Sequence, residues 1–267
     1  MAEFRDLKVY GSALPDAFVR FDLEGHLVRL KLWPKISGPE AKSFAERFEV
    51  YRRRLRRLVE GGPLRVFSHV LEPLAAELGY PTSEHCADPV QTYEGLEDAG
   101  WRLLGKDGAA LRVWAVDYGV DLDAPSRRGD AYRFSPSRIA ERVLDAVKER
   151  IALITNGEEL RILVRSGAGG YSHLDIDLGR VEGWRKAGAL PDSYRLLHAL
   201  ARPAGVAKIH DLTEAARLAQ TRVTAKLRQQ AQEAVVGFVQ ALLDDPENQG
   251  RWPNIDKPDE IVEELDK

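Results

Sequence analysis

Residues Ile151 to Leu178 read IALITNGEELRILVRSGAGGYSHLDIDL. Two short apolar runs stand on either side of Asn156-Gly157, the residue pair that best tolerates a positive φ in a tight hairpin turn. A glycine-rich segment, residues 167–170, precedes a third run in which polar and apolar residues alternate. The pattern predicts three antiparallel strands in a meander, packed on the helix that comes before them.

The segments before the meander predict further strands and helices. Ser135-Pro136 predicts a helix start, with the serine as N-cap and the proline at the first helical position. Residues 100–104 and 110–116 predict two strands joined by a short turn. Together these signals indicate a mixed α/β fold: an antiparallel or mixed sheet with flanking helices and a long C-terminal helix.

Other periodicities complete the expected element order. Alternation over Ala17 to Trp33 predicts a β-hairpin, and residues 93–99 predict a short helix. Helices are also predicted between Pro39 and Gly61 and over Leu64 to Leu78. The last long helix, roughly 211–243, carries an apolar stripe that is expected to be buried: Leu218, Val223, Leu227, Ala231, Ala234, Val235, Phe238 and Leu242.

Three segments follow from this order: residues 1–62 as an N-terminal hairpin and helix, 63–180 as an α/β core, and 181–267 as a helical C-terminal region. The tail, PDEIVEELDK, begins what the pattern indicates is another amphipathic helix. A helix that starts at a chain end is typical of a fragment of a longer protein, although an acidic tail is an equally simple interpretation.

Composition restricts the partners and the compartment. The 267 residues include 39 basic and 42 acidic side chains, so the net charge of −3 creates no global positive field, and DNA contact requires a local patch. Cys86 is the single cysteine, which excludes an internal disulfide and predicts a reducing cytoplasm. The chain starts without a signal-peptide pattern, and no apolar run approaches the roughly 20 residues that cross a bilayer. No membrane partner is expected.

Candidate metal ligands alternate along the third strand of the meander. His173, Asp175 and Asp177 point to one face of a strand, where imidazole and carboxylates at that spacing can hold a divalent metal. The competing interpretation is the ordinary polar face of a half-exposed strand, which is the favoured one. The phosphate-binding patterns GxGxxG and GxxxxGK[ST] do not occur in the sequence, so no nucleotide cofactor is predicted for this chain.

Local basic sets are the candidate nucleic-acid contacts, because arginine forks suit phosphate and a basic stripe is typical of such surfaces. The competing interpretation is a solvated helix face whose arginine stems cover apolar surface. The loop SRRGDAYRF, which interleaves arginines with aromatic residues, is the favoured contact. The candidates are Arg53, Arg57, Arg127, Arg128, Arg133, Arg138, Arg222 and Lys226.

The order of motifs resembles a known family. GWRLLG, VWAVDYGVDLDAP, a Ser-Pro-Ser helix start and IALITNGEELRILV follow one another between residues 100 and 164. This order resembles the N-terminal region of the large adenine-specific DNA methyltransferases of bacterial restriction and phage-defence systems, namely the type IIG restriction enzymes and the BREX and DISARM methyltransferases. Leu153, Thr155, Asn156, Gly157, Arg161 and Leu163 match its L-x-T-N-G-x-x-x-R-L pattern, and Leu122, Asp123 and Pro125 match a preceding one.

The resemblance implies a PD-(D/E)xK nuclease module, active or decayed. An active module needs an Asp and then Glu-x-Lys on adjacent strands, so that the acids hold a metal beside the scissile phosphate. Here Trp114 and Val116 occupy the acid and lysine positions, and neither side chain binds a metal. Asp117, Asp121 and Asp123 are the nearby acids that a displaced site would use.

The sequence and the resemblance lead to three alternative functions. The first is a non-catalytic nuclease-like domain of a defence methyltransferase that contacts double-stranded DNA or partner subunits; S-adenosylmethionine is expected only in the parent or partner methyltransferase domain. The second is a divergent Mg²⁺-dependent endonuclease that combines the three aspartates with Glu72 or Glu94. The third is a protein–protein adaptor of a defence complex, which docks through the acidic tail and the long helix.

Overall fold

The computed structural model describes Phe4, residues 7–35, 61–106, 108–125, 134–178 and 191–245, and scattered helical positions between 39 and 50. The strands are β1 Leu7–Gly11, β2 Thr82–His85, β3 Val90–Thr92, β4 Gly95–Glu97, β5 Trp101–Leu104, β6 Ala110–Ala115, β7 Ile151–Thr155, β8 Glu159–Arg165 and β9 Tyr171–Asp177. The helices are α1 Asp16–Phe21, α2 Leu23–Arg29, α3 Pro63–Val66, α4 Glu72–Leu78, α5 Pro136–Val147, α6 Asp192–Ala201 and α7 Pro203–Asp244; one turn of π-helix, Phe67–Leu71, joins α3 to α4.

Seven strands form the main sheet, in the order β1-β9-β8-β7-β6-β5-β2. Neighbours are antiparallel except β6 and β7, which run parallel because helix α5 carries the chain back between them. The hairpin of β5 and β6 and the meander of β7, β8 and β9 are confirmed, as is the mixed α/β class. Ser135 caps α5 as predicted, accepting a hydrogen bond from the backbone of Arg138 at 3.3 Å.

The core lies where α5 packs on the middle of the sheet. Strands β7 and β8 are buried nearly throughout because β6 and β9 flank them and α5 covers one of their faces. A contiguous apolar cluster fills this layer: Trp114, Leu122, Ala140, Val143, Leu144, Ala152, Ile154 and Leu163.

The Asn156-Gly157 turn holds the meander in register through side-chain hydrogen bonds. Asn156 Oδ1 accepts from the backbone N–H groups of Glu158 and Glu159 at 2.8 and 2.7 Å, and Nδ2 donates to the carbonyl of Val120 at 2.8 Å. Gly157 has a φ of 85°, in the left-handed region that favours glycine. The turn therefore also anchors the loop that follows β6.

Replacing Asn156 with alanine is expected to lower the free energy of unfolding by about 2–3 kcal/mol, because backbone groups in a largely buried turn lose their partners. Urea denaturation measures the change. The control is Asn156→Asp, which keeps the two acceptor bonds and should cost less. Equal losses in both variants would contradict the role given to Oδ1.

Two local predictions are wrong. Residues 17–33, predicted as a β-hairpin, form helices α1 and α2, in which Val19, Leu23 and Leu27 are buried at helical spacing. Residues 93–99, predicted as a short helix, instead contain β4, which pairs with β3 in a separate two-stranded hairpin. Both segments are short, and in short segments helical and strand periodicities overlap.

The chain forms two compact units, Met1–Ala216 and Arg217–Lys267, and the boundary between them falls within the long helix α7. In the first unit the helix buries Ile209, Leu212 and Ala216. In the second, the stripe predicted to be buried is instead mostly solvent-exposed: Val223, Leu227 and Phe238 have exposed fractions of 59%, 59% and 65%. The predicted helix between Pro39 and Gly61 falls largely, and the tail after Asp245 wholly, outside the described residues.

Candidate functional site

The end of strand β6 is where the resemblance places the catalytic acid and lysine. Trp114 lies on β6, is 4% exposed, and belongs to the apolar core. Its indole Nε1 donates a hydrogen bond to the backbone carbonyl of Asp98 at 3.1 Å. Val116 follows the strand, and its backbone N–H donates to the carbonyl of Thr155 at 2.9 Å. Trp114 is therefore held by core packing, and Val116 is held by a backbone hydrogen bond.

A cavity of about 300 Å³ opens at this strand end. Trp101, Trp114 and Phe134 supply aromatic wall, and the remaining apolar wall includes Val116, Val120 and Ile139. Asp98 and Asp117 are the two carboxylates among its lining residues. An apolar cavity with a few polar groups is the usual character of a small-ligand or side-chain binding site.

A close backbone approach sets the position of Asp98 beside β6. Gly100 has a φ of 64°, and a Cβ built on it would lie 2.5 Å from the carbonyl oxygen of Val113. Only glycine fits such an approach without displacing the strand. The Asp98 carboxylate also accepts a hydrogen bond from the Gly100 backbone N–H at 3.2 Å. The turn therefore places Asp98 beside the cavity, and no motif in the sequence singled this residue out.

The three aspartates suggested for a displaced nuclease site have different surroundings. Asp117 lines the cavity. Asp121 Oδ1 accepts from the backbone N–H of Asp123 at 2.8 Å, and Asp123 pairs with Arg161. Among the described residues, no three His, Cys, Asp or Glu side chains are grouped so that they could hold a metal ion. Glu94, a suggested partner acid, forms an ion pair with Arg142 at 2.9 Å.

Arg161 connects the loop after β6 to the meander. Its guanidinium donates to both carboxylate oxygens of Asp175, at 2.7 and 2.8 Å, to both oxygens of Asp123, and to Ser137 Oγ at 2.6 Å. Hydrogen bonds from Arg161 outweigh the effect of burial and lower the pKa of Asp123. Arg161 and Asp175 are 2% and 5% exposed, so their pairing satisfies two charges inside the protein. A buried arginine on an apolar strand is itself a sequence signal that an acidic partner lies across the sheet.

The side chains of the suggested metal face on β9 interact with other protein groups. Asp175 is bound by Arg161, and His173 Nε2 lies 2.9 Å from Glu141 Oε1 on helix α5. Asp177 is half-buried and pairs in register with Glu159 of β8. On this face Asp175 is buried, whereas His173 and Asp177 are half-buried.

Glu141 gives a pH dependence to the contact between α5 and β9. Burial would raise its pKa, but hydrogen bonds from His173 and Arg138 outweigh that effect, and the pKa lies below its usual value. A depressed folded-state pKa stabilises the protein above the unfolded-state value, about pH 4, and the contribution is lost as the pH falls through the folded-state pKa.

The urea midpoint is therefore expected to fall as the pH is lowered from about 5 to 3. Glu141→Gln should flatten part of that fall, since the substituted side chain does not titrate. The matched control is Glu24→Gln, on helix α2. If the slopes of Glu141→Gln and the unmodified protein coincide, the assignment of this pH dependence to Glu141 is wrong.

The candidate DNA contacts are distributed over several segments. Arg138 is exposed near the start of α5 and pairs with Glu141 at 2.9 Å. Arg222 and Lys226 are exposed on the second unit's part of α7. Arg53, Arg57, Arg127, Arg128 and Arg133 lie outside the described residues. The assignment of these eight side chains to DNA stays a prediction.

Comparisons with known proteins add no relative to this picture. No protein-family model, no curated protein and no solved structure matches the chain. Within the described part of the chain, no helix combines the length and the apolar character that crossing a membrane requires.

Proposed function

We propose that this chain is a nuclease-like domain of a restriction or phage-defence adenine methyltransferase, and that it contacts double-stranded DNA without cleaving it. The observation that carries the proposal is the burial of Trp114 near the end of β6. Trp114 is packed into the core, and by the resemblance it would stand where an active nuclease has its acid. The adjacent antiparallel strands β5 and β6 offer the scaffold such a site would use.

Because position 114 is buried, a single substitution to a carboxylate there is not expected to create a metal site. A carboxylate at position 114 would lie among Leu122, Val143 and Ile154, where an isolated charge is strongly disfavoured. The indole of Trp114 fits these apolar surroundings. A nuclease-like fold that has kept its packing without its catalytic acid is suited to binding.

Contact with DNA would come from phosphate-binding arginines, with Arg127 and Arg128 of the SRRGDAYRF loop as the first choice. Gel-shift titration of a short duplex at two salt concentrations tests this. Arg127→Glu/Arg128→Glu is expected to weaken binding about tenfold and to reduce the salt slope by roughly two.

The matched control, Arg29→Glu/Lys35→Glu, makes the same charge change at exposed positions near the N-terminus. It should leave affinity close to that of the unmodified protein. Binding that does not weaken with salt would contradict phosphate contact. No detectable binding at either salt would favour the adaptor function, which a pull-down of defence-system subunits then tests.

A divergent metal nuclease is the second candidate, because Asp98 and Asp117 line the same cavity. Incubation with plasmid DNA and Mg²⁺ or Mn²⁺ distinguishes it from the first. Cleavage that is abolished by Asp98→Asn or Asp117→Asn, and retained in Asp16→Asn on helix α1, would replace the first proposal. An intact plasmid under all conditions supports the non-cleaving domain.

A further inference from the structure

The second unit's part of helix α7 carries an apolar face that the described residues leave open to solvent. Successive helical residues turn by about 100°, so Val223, Leu227, Ala234 and Phe238 lie within roughly 60° of one another around the helix axis. We call these four residues the 223–238 face. All four are exposed, and the exposed fraction of Phe238 reaches 65%.

An exposed apolar helix face of this kind is expected to pack against a partner. Helical stability in proteins comes mostly from packing of an amphipathic face, and a helix without packing is marginal in water. A contiguous row of exposed aliphatic and aromatic side chains is also typical of an interaction surface. The charged residues beside the face indicate which partner fits it.

Charged residues flank the 223–238 face asymmetrically. Lys226 and Glu233 lie on one flank, with Arg222 just beyond them, whereas Arg217 and Arg228 lie on the other. Two copies packed parallel would oppose unlike flanks, so that the Arg222–Lys226 flank would meet the arginines of the partner. Two copies packed antiparallel oppose the same flank of each, and Lys226 then meets a glutamate.

We propose that the 223–238 face binds the same face of a second copy of this chain, with the two helices antiparallel. A two-fold axis between residues 230 and 231 places Val223 opposite the partner's Phe238 and Leu227 opposite the partner's Ala234. Large side chains then face small or β-branched ones, which allows the helices to approach closely. Lys226 comes within about two residues, roughly 3 Å along the axis, of the partner's Glu233.

Sedimentation equilibrium on the full chain tests the association. The unmodified protein is expected to be a dimer at micromolar concentration. Leu227→Lys/Phe238→Lys is expected to weaken the dimer by roughly 100-fold or more, because four lysines would enter the interface. These side chains are exposed within one copy, and lysine is a good helix former, so folding is retained. Gln232→Lys, on the opposite side of the helix, is the control and should remain dimeric.

Charge exchange tests the orientation. Lys226→Glu and Glu233→Lys should each weaken the dimer, by roughly three- to tenfold, since each places like charges opposite one another. The double variant Lys226→Glu/Glu233→Lys restores opposite charges in an antiparallel pair and should recover the original affinity. Circular dichroism of every variant confirms that the helix is unchanged.

Three results would overturn the proposal. An unmodified chain that is monomeric throughout the concentration range would assign the face to the chain's own C-terminal residues or to another protein. A Leu227→Lys/Phe238→Lys variant that dimerises as tightly as the unmodified protein would place the interface elsewhere. Failure of the double charge exchange to recover affinity would exclude the antiparallel arrangement.

Discussion

Replacing Arg161 with methionine is expected to lower the free energy of unfolding by about 3–5 kcal/mol, the usual cost of removing one partner from a buried ion pair. The Asp175 carboxylate, which is 5% exposed, would lose two hydrogen bonds at 2.7 and 2.8 Å. Ser137 would also lose its donor from the guanidinium. Urea denaturation followed by circular dichroism measures the change.

Arg165→Met is the matched control, because Arg165 lies on the same strand and also pairs with an aspartate. Its partner, Asp145, has a side chain that is 48% exposed, so water can solvate the charge when the arginine is removed. A loss of about 1 kcal/mol or less is expected. Comparable losses at the two positions would contradict the importance of burial.

A double substitution separates the charge effect from the loss of packing. In Arg161→Met/Asp175→Leu both buried charges are replaced by apolar groups, and much of the lost stability is expected to return. Asp123, whose side chain is 60% exposed, then remains solvated rather than buried and unpaired. If the double variant is less stable than Arg161→Met, the cost arises from packing and not from the unpaired carboxylate.

Replacing Trp114 with alanine is the second large effect, with an expected loss of about 3–5 kcal/mol. The indole is 4% exposed and contacts a core layer formed by the sheet and α5. Its removal would enlarge a cavity that already measures about 300 Å³, so the neighbouring side chains cannot close the space without moving the backbone. Thermal and urea unfolding both report the change.

Trp114→Phe provides the graded comparison. It retains most of the apolar volume but loses the hydrogen bond to the Asp98 carbonyl, so a loss of about 1–2 kcal/mol is expected. A phenylalanine variant as unstable as the alanine variant would assign the effect to the hydrogen bond. An alanine variant of unchanged stability would show that Trp114 does not belong to the core.

The hairpin of β5 and β6 and the meander of β7, β8 and β9 were predictable because their signals are local. The turn at Asn156-Gly157 needs a positive φ at one residue, which Gly157 provides with a φ of 85°, and that glycine is visible in the sequence. The N-cap at Ser135 is equally local, since its partner is three residues away. The hairpin of β5 and β6 follows from two short runs separated by a turn.

The same reasoning failed where two periodicities compete over few residues. The spacing of Val19, Leu23 and Leu27 is helical, yet the intervening residues also alternate in polarity, and only packing in the first unit decides between the two patterns. The periodicity of α7 predicts a buried apolar stripe, whereas most of that stripe is exposed in the structure. Periodicity identifies a face, but it does not say whether anything covers that face.

The mixed α/β class and the turn that holds the meander in register could be inferred from local sequence signals. The tertiary structure alone decided that Arg161 joins Asp123 and Asp175, which are 38 and 14 residues away along the chain. It also decided that Asp98 and Asp117 share one cavity. The physical reason is that turns and caps depend on neighbouring residues, whereas ion pairs and cavities depend on how distant segments pack together.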